Sequence, residues 1–168
     1  MPGWLNVDGC SREGVAVMRL PRGLRRFADN SVGFVYCSHM LEHVNYPDET
    51  LLLCRELRRV LIRGGAVRFV VPGIERIIRA YVADDSAFFK KQEAFHPAWC
   101  TTKMEHLLYA LQQDGQHRYG YDFETAKKLL LRAGFTRVIN SEYQGSEFSE
   151  LRVDYRGENL SLFVDAVA

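Results

Sequence analysis

The chain has 168 residues, 47% of them hydrophobic and 26% charged, with a formal net charge of +1. That length suits one independently folded core, and the balanced charge argues against a global field for nucleic acid or an anionic membrane. No secretory signal pattern opens the chain and no apolar run approaches the ~18 residues a membrane span needs, so a soluble cytoplasmic protein is the expectation.

Trp4-Leu5-Asn6-Val7-Asp8 is a short β-type run stopped by Gly9, and Val15 to Met18 makes another. A basic segment follows, with Arg19, Arg22, Arg25 and Arg26; it reads as a solvated loop, with an anion-binding patch as the alternative. Val32 to Cys37 is a continuous apolar, β-branched stretch, the pattern of a strand covered on both faces. Pro47-Asp48-Glu49 opens a predicted helix to about Ile62, since proline suits a first turn and the acids suit the positive end of the helix dipole. Leu52, Leu53, Glu56, Leu57, Val60 and Leu61 give it a mostly apolar stripe.

Gly64-Gly65 is expected to end that helix, and Ala66 to Val71 to form the next buried strand. Helices are predicted at about 74–82, 86–94 and 101–113, followed by a loop over 114–121. Asp122 or Phe123 to Ala133 is helical, closed by Gly134 in a position suited to a left-handed cap. The last two strands are expected at 135–143 and 160–167. Strands alternating with helices predict a single α/β domain over 1–168, a largely parallel sheet with helices on both faces, and an antiparallel closing pair. Cys10, Cys37, Cys54 and Cys100 form no C-x-x-C pair, which points to free thiols in a reducing compartment.

The blocks GWLNVDG, FADNSVGFVYCSHMLEHV, LRRVLIRGGAVRFVVPGIE, YDFETAKKLLLRAGFTRV and SLFVDAVA occur in an order that resembles class I S-adenosylmethionine-dependent methyltransferases, in particular the small predicted bacterial type. The resemblance implies a three-layer Rossmann-like fold with strand order 3-2-1-4-5-7-6 and an antiparallel last strand. It also implies a helical lid insert at about 74–121. S-adenosylmethionine would lie across the carboxyl ends of strands 1, 2 and 4, where such sheets switch direction. Asp8 matches the carboxylate that binds the ribose hydroxyls, with capping of the turn before Gly9 as the alternative. Asn6, Cys37 and Ser38 are assigned beside the cofactor, and Ser38 with His39 beside the methyl-transfer cleft.

Three features of the resemblance are missing. Only Met1-Pro2-Gly3 stands where the first strand and its G-x-G loop belong, a loop that lets backbone N–H groups approach the cofactor. No acid stands near Leu20 for the adenine amino group, and Gly33 replaces a common aspartate. A fragment of a longer reading frame, or a degenerate member that pairs its open sheet edges with a partner or a second copy, is therefore expected. Losing two or three cofactor hydrogen bonds weakens binding by roughly 10²–10⁴-fold. The expected function is methyl transfer to a small acceptor with impaired cofactor binding; the alternative is a non-catalytic domain of the same fold that serves assembly or protein interaction.

His39-Met40-Leu41-Glu42-His43 also matches H-x-x-E-H, in which two histidines hold zinc and the glutamate is a general base. Its place at a strand-to-helix turn, with Pro47 soon after, leaves a zinc hydrolase as a remote alternative, and no metal ligand is assigned. In the methyltransferase frame His39, His43 or His117 orients or deprotonates the acceptor. A structural bond across the turn is the equal alternative for His43, and Glu42 is expected to cap or brace the following loop. His96, Trp99, His106, His117, Tyr119, Tyr121 and Asp122 gather in the insert. Such a set suits a polar ring-bearing acceptor such as a sugar, with aromatic packing against the sheet as the alternative.

Overall fold

The structure, a computed structural model, describes residues 3–155 and 161–168. Met1, Pro2 and the expected first residue of the last strand, Leu160, lie outside the described residues. Among the described residues six strands are found: β1 (Val7–Asp8), β2 (Ala16–Val17), β3 (Val32–Ser38), β4 (Leu61–Pro72), β5 (Arg137–Ser141) and β6 (Ser161–Val167). Five α-helices accompany them: α1 (Asp48–Val60), α2 (Ile74–Val82), α3 (Ser86–Gln92), α4 (Lys103–Gln112) and α5 (Phe123–Ala133).

Among the described residues the strands make two separate sheets. β1 and β2 pair in parallel, while the other four take the order β3-β4-β6-β5. β3 runs parallel to β4, and β6 runs antiparallel to both β4 and β5. That is the order expected for the last four strands and for the antiparallel closing strand. The continuous seven-stranded sheet is not formed: no strand among the described residues joins β1 to β3.

α1 carries Asp48 and Glu49 in its first turn, as predicted. It stops at Val60, before Ile62, because the backbone turns extended at Leu61, which pairs with Val32. The glycine pair therefore lies inside β4 and does not end the helix. There the register between β3 and β4 slips, Gly64 sits at φ +79°, and a Cβ on Gly65 would meet the Gly33 carbonyl oxygen at 2.5 Å. The stripe on α1 is also rotated from the predicted one: Leu51, Leu53, Cys54, Leu57 and Val60 are buried, while Leu52 is 53% exposed. α5 behaves as predicted, with Asp122 accepting from the Thr125 N–H and Gly134 in the left-handed region.

The core lies between the four-stranded sheet and the pair α1 and α5. Val67, Phe69 and Val71 of β4 and Val164 and Ala166 of β6 meet Leu53, Leu57, Leu129 and Leu130. The opposite sheet face is covered by the segment between β5 and β6, whose Phe148 packs on Phe34 and whose Asp154 accepts from the Tyr36 hydroxyl. Arg68, on this face by strand alternation, is fully buried and donates to Asp154, Asp165, Ser141 and the Glu142 carbonyl. A buried guanidinium persists only with such a complete set of partners, which here ties β4, β5 and β6 to the covering segment.

Candidate active site

A cleft of about 660 Å³ opens where the carboxyl ends of β3 and β4 meet the start of β6. That size falls within the ~300–1,000 Å³ range of small-molecule sites. Its floor is polar, with His39, Glu42, His43, His117 and Ser161, and its wall is more aromatic, with Phe88, Phe95 and Tyr109 from the helical insert.

The floor forms because β3 ends abruptly. His39 follows the strand at φ +49°, a left-handed conformation that a non-glycine residue adopts at a cost, while its N–H still donates to the Val70 carbonyl. The chain then enters a 3₁₀ turn over Leu41–His43. Loop 116–119 is fastened to that turn: the Arg118 and Tyr119 N–H groups both donate to the Glu42 carbonyl, at 2.7 and 3.2 Å. This is how His117, far away in sequence, reaches the H-x-x-E-H segment. The His43 and His117 rings lie 5.0 Å apart, edge to face.

Glu42 occupies the centre. Its side chain is 1% exposed, and neither carboxylate oxygen has a hydrogen-bond partner among the described residues. His39 Nδ1 lies 3.3 Å and His43 Nε2 4.0 Å from Glu42 Oε1. Glu42, expected to cap or brace the following loop, holds the distant loop 116–119 through its backbone carbonyl, while its carboxylate faces the histidines. Each histidine has a second partner. His39 Nε2 is 3.3 Å from Ser161 Oγ, His43 Nδ1 is 3.1 Å from the Gln116 carbonyl, and His117 Nδ1 is 3.0 Å from the Ala110 carbonyl. Burial pushes the His117 pKa below the usual histidine value, against the opposing pull of the Ala110 carbonyl and Glu42.

The remaining predicted residues are more dispersed. Asp8 Oδ1 accepts from the Cys10 N–H, so one oxygen caps the turn. Its other oxygen pairs loosely with Arg12, at 3.9 Å, and Arg12 itself lines the cleft. The Asn6 carbonyl accepts from Ala16 N–H within the small sheet. Cys37 is buried in the core on the helix side, where its thiol is pushed far up by burial, and does not line the cleft. Ser38 has a buried Oγ with no partner at hydrogen-bonding geometry among the described residues. Within the insert, His96 and His106 form a second pair with Nδ1 atoms 2.9 Å apart, Tyr121 is buried in the core, and Asp122 caps α5. The four arginines of the basic segment are exposed around a 3₁₀ turn at Arg22–Arg26.

Residues 13–69, from just before β2 through most of β4, match the family model described as a methyltransferase domain. The fold agrees with it. A SAM-dependent methyltransferase from Archaeoglobus fulgidus superposes with a TM-score of 0.60 at 15% identity, over 98% of this chain and 75% of that one. This chain has the fold of the class I methyltransferases, and about a third of it matches their domain model. Two further solved structures of lower score are a SAM-dependent methyltransferase from Thermotoga maritima and phosphoethanolamine N-methyltransferase 2 from Haemonchus contortus, solved with S-adenosyl-L-methionine. The first gives 0.47 at 19% identity over 92% of this chain, the second 0.43 at 14% over 84%. The chain spans 64% and 34% of those two proteins. No curated protein sequence matches it.

Ser161 and Arg12 were not legible as site residues. Ser161 stands 122 positions from His39, and only the antiparallel pairing that sets it opposite Pro72 brings the two together. Arg12 sits in a loop whose composition carries no signal.

Proposed function

We propose that the cleft transfers a methyl group from S-adenosylmethionine to a small hydroxylated acceptor, a sugar being the best-suited class. The observation that carries this reading is the Ser161–His39–Glu42 line at the tip of β3. With Nδ1 facing a carboxylate, the neutral His39 ring carries its proton there and offers the Nε2 lone pair, which Ser161 Oγ–H meets. An acceptor hydroxyl that takes the place of Ser161 at Nε2 gives its proton to His39, and Glu42 stabilises the imidazolium that results.

The fit to the cofactor is partial. The Asp8 carboxylate, at the end of β1 and 40% exposed, has an oxygen held only loosely by Arg12 that can take ribose hydroxyls, and Ser38 Oγ is a buried polar atom whose interaction with Tyr36 falls short of hydrogen-bonding geometry. When bound, S-adenosylmethionine supplies an electrophilic methyl group on its sulfonium. Asp8 and Ser38, however, stand on sheets that share no ladder among the described residues, so ordering them about one ligand costs free energy that a continuous sheet would not charge. Weak cofactor affinity is part of the proposal. The aromatic wall of Phe88, Phe95 and Tyr109 supports a ring-bearing acceptor.

The edge of β3 that is unpaired among the described residues favours a second reading, a domain of this fold used in assembly through strand pairing with another copy. The test of the first reading is transfer of labelled methyl from S-adenosylmethionine to a panel of sugars. His39→Ala is expected to lower the rate by ~10²–10⁴-fold, the usual worth of a positioned base. An unchanged rate in His39→Ala removes the assignment.

A further inference from the structure

Three of the cleft-floor groups are arranged as metal ligands. One ligand atom each from Glu42, His43 and His117 lies within 4.8 Å of the others. The second partners select the correct atoms: His43 Nδ1 and His117 Nδ1 each face a backbone carbonyl, of Gln116 and Ala110. A neutral ring that donates from Nδ1 leaves the Nε2 lone pair free, and this outer hydrogen bond is the usual way a metal-binding histidine is oriented. His43 Nε2 already faces the Glu42 carboxylate at 4.0 Å. That carboxylate is buried, and apart from the His39 and His43 rings beside Oε1 it has no contact at hydrogen-bonding geometry among the described residues, a costly state for an anion that a cation relieves.

We propose that Glu42, His43 and His117 bind a zinc-type divalent cation whose remaining positions open into the cleft. Two imidazoles and one carboxylate with an open position form a donor set suited to zinc. The site differs from the H-x-x-E-H reading of the sequence. His39 stands at positive φ outside any helix and faces Glu42 and Ser161, and its place in the ligand set is taken by His117 from the insert. An acceptor oxygen bound at an open position becomes a stronger acid, next to His39. The ligand set itself does not depend on the methyl-transfer reading.

A competing cluster exists at His96, Cys100 and His106. Its two Nδ1 atoms are spent on each other at 2.9 Å, and the Cys100 thiol faces the Glu105 carbonyl. Cobalt distinguishes the two sites, because thiolate ligation adds a charge-transfer band in the near ultraviolet. Co²⁺ titrated into chelator-treated protein, followed by calorimetry and absorption, is expected to bind at one equivalent without that band. His43→Ala and His117→Ala should each weaken binding by at least ~10-fold, the floor for disturbing even an outer partner. Cys100→Ser should leave it intact. The His43 side chain is 36% exposed, so its removal does not threaten the fold. Absence of saturable binding, a thiolate band lost in Cys100→Ser, or full affinity in His43→Ala overturns the proposal.

Discussion

His39 shows how one residue's backbone decides a site. Placed at φ +49°, it swings out of the β3 line and sets its two ring nitrogens between Glu42 and Ser161. The sequence pattern singled out His39, His43 and His117 as candidates, and the structure brings all three to one cleft. The pattern did not identify Glu42 as their common centre, because that role depends on loop 116–119 being fastened over the turn. His96 gives a separate prediction. Burial first, and then the neighbouring His106, depress its pKa to about 4. The unfolded chain, with a pKa of ~6.5, therefore binds the extra proton across that interval. The stability His96 contributes as a neutral ring is complete above the unfolded value and is lost as pH falls toward the folded one. Urea midpoints measured at pH ~7 and ~5 should fall more for the wild type than for His96→Gln; equal falls would show that His96 titrates normally.

At the scale of elements, the helices were the more readable part. α2 matches its predicted range, and α5 has both its cap and its left-handed glycine where composition placed them. The boundary of α1 with β4 was misread, because a Gly-Gly pair is the common signal of a helix end. In this chain it marks close approach of two strands. With 2.5 Å to the Gly33 carbonyl, a methyl group at position 65 must push backbone against backbone. Gly65→Ala is predicted to cost about 1–3 kcal/mol, the range for overpacking, read as a lower urea midpoint with unchanged slope. Wild-type stability in that variant would mean β3 and β4 tolerate separation. The strands β1 and β2 proved shorter than their apolar runs, since a two-stranded pair with one exposed face holds little beyond its central residues.

For the whole molecule, the order β3-β4-β6-β5 and the separate β1-β2 pair place Asp8 and His39 on different sheets. Packing ties the segment after β2 to the larger sheet's layer: Arg59 of α1 donates to the Leu24 and Phe27 carbonyls, and Met18 and Leu24 enter the common core. The fold class was readable from strand and helix alternation; the covering of the rear sheet face by a polar segment, clamped through buried Arg68, was not, since it depends on partners as distant as Asp154 and Asp165. The account stands on this molecule holding a sulfonium cofactor between Asp8 and the tip of β3. Calorimetric titration with S-adenosylhomocysteine, run on the wild type beside Asp8→Ala, tests it most directly. Saturable binding in the micromolar-to-millimolar range, weakened at least ~10-fold in the variant, is the predicted result. No heat at millimolar ligand, or equal affinity in the two proteins, would contradict it.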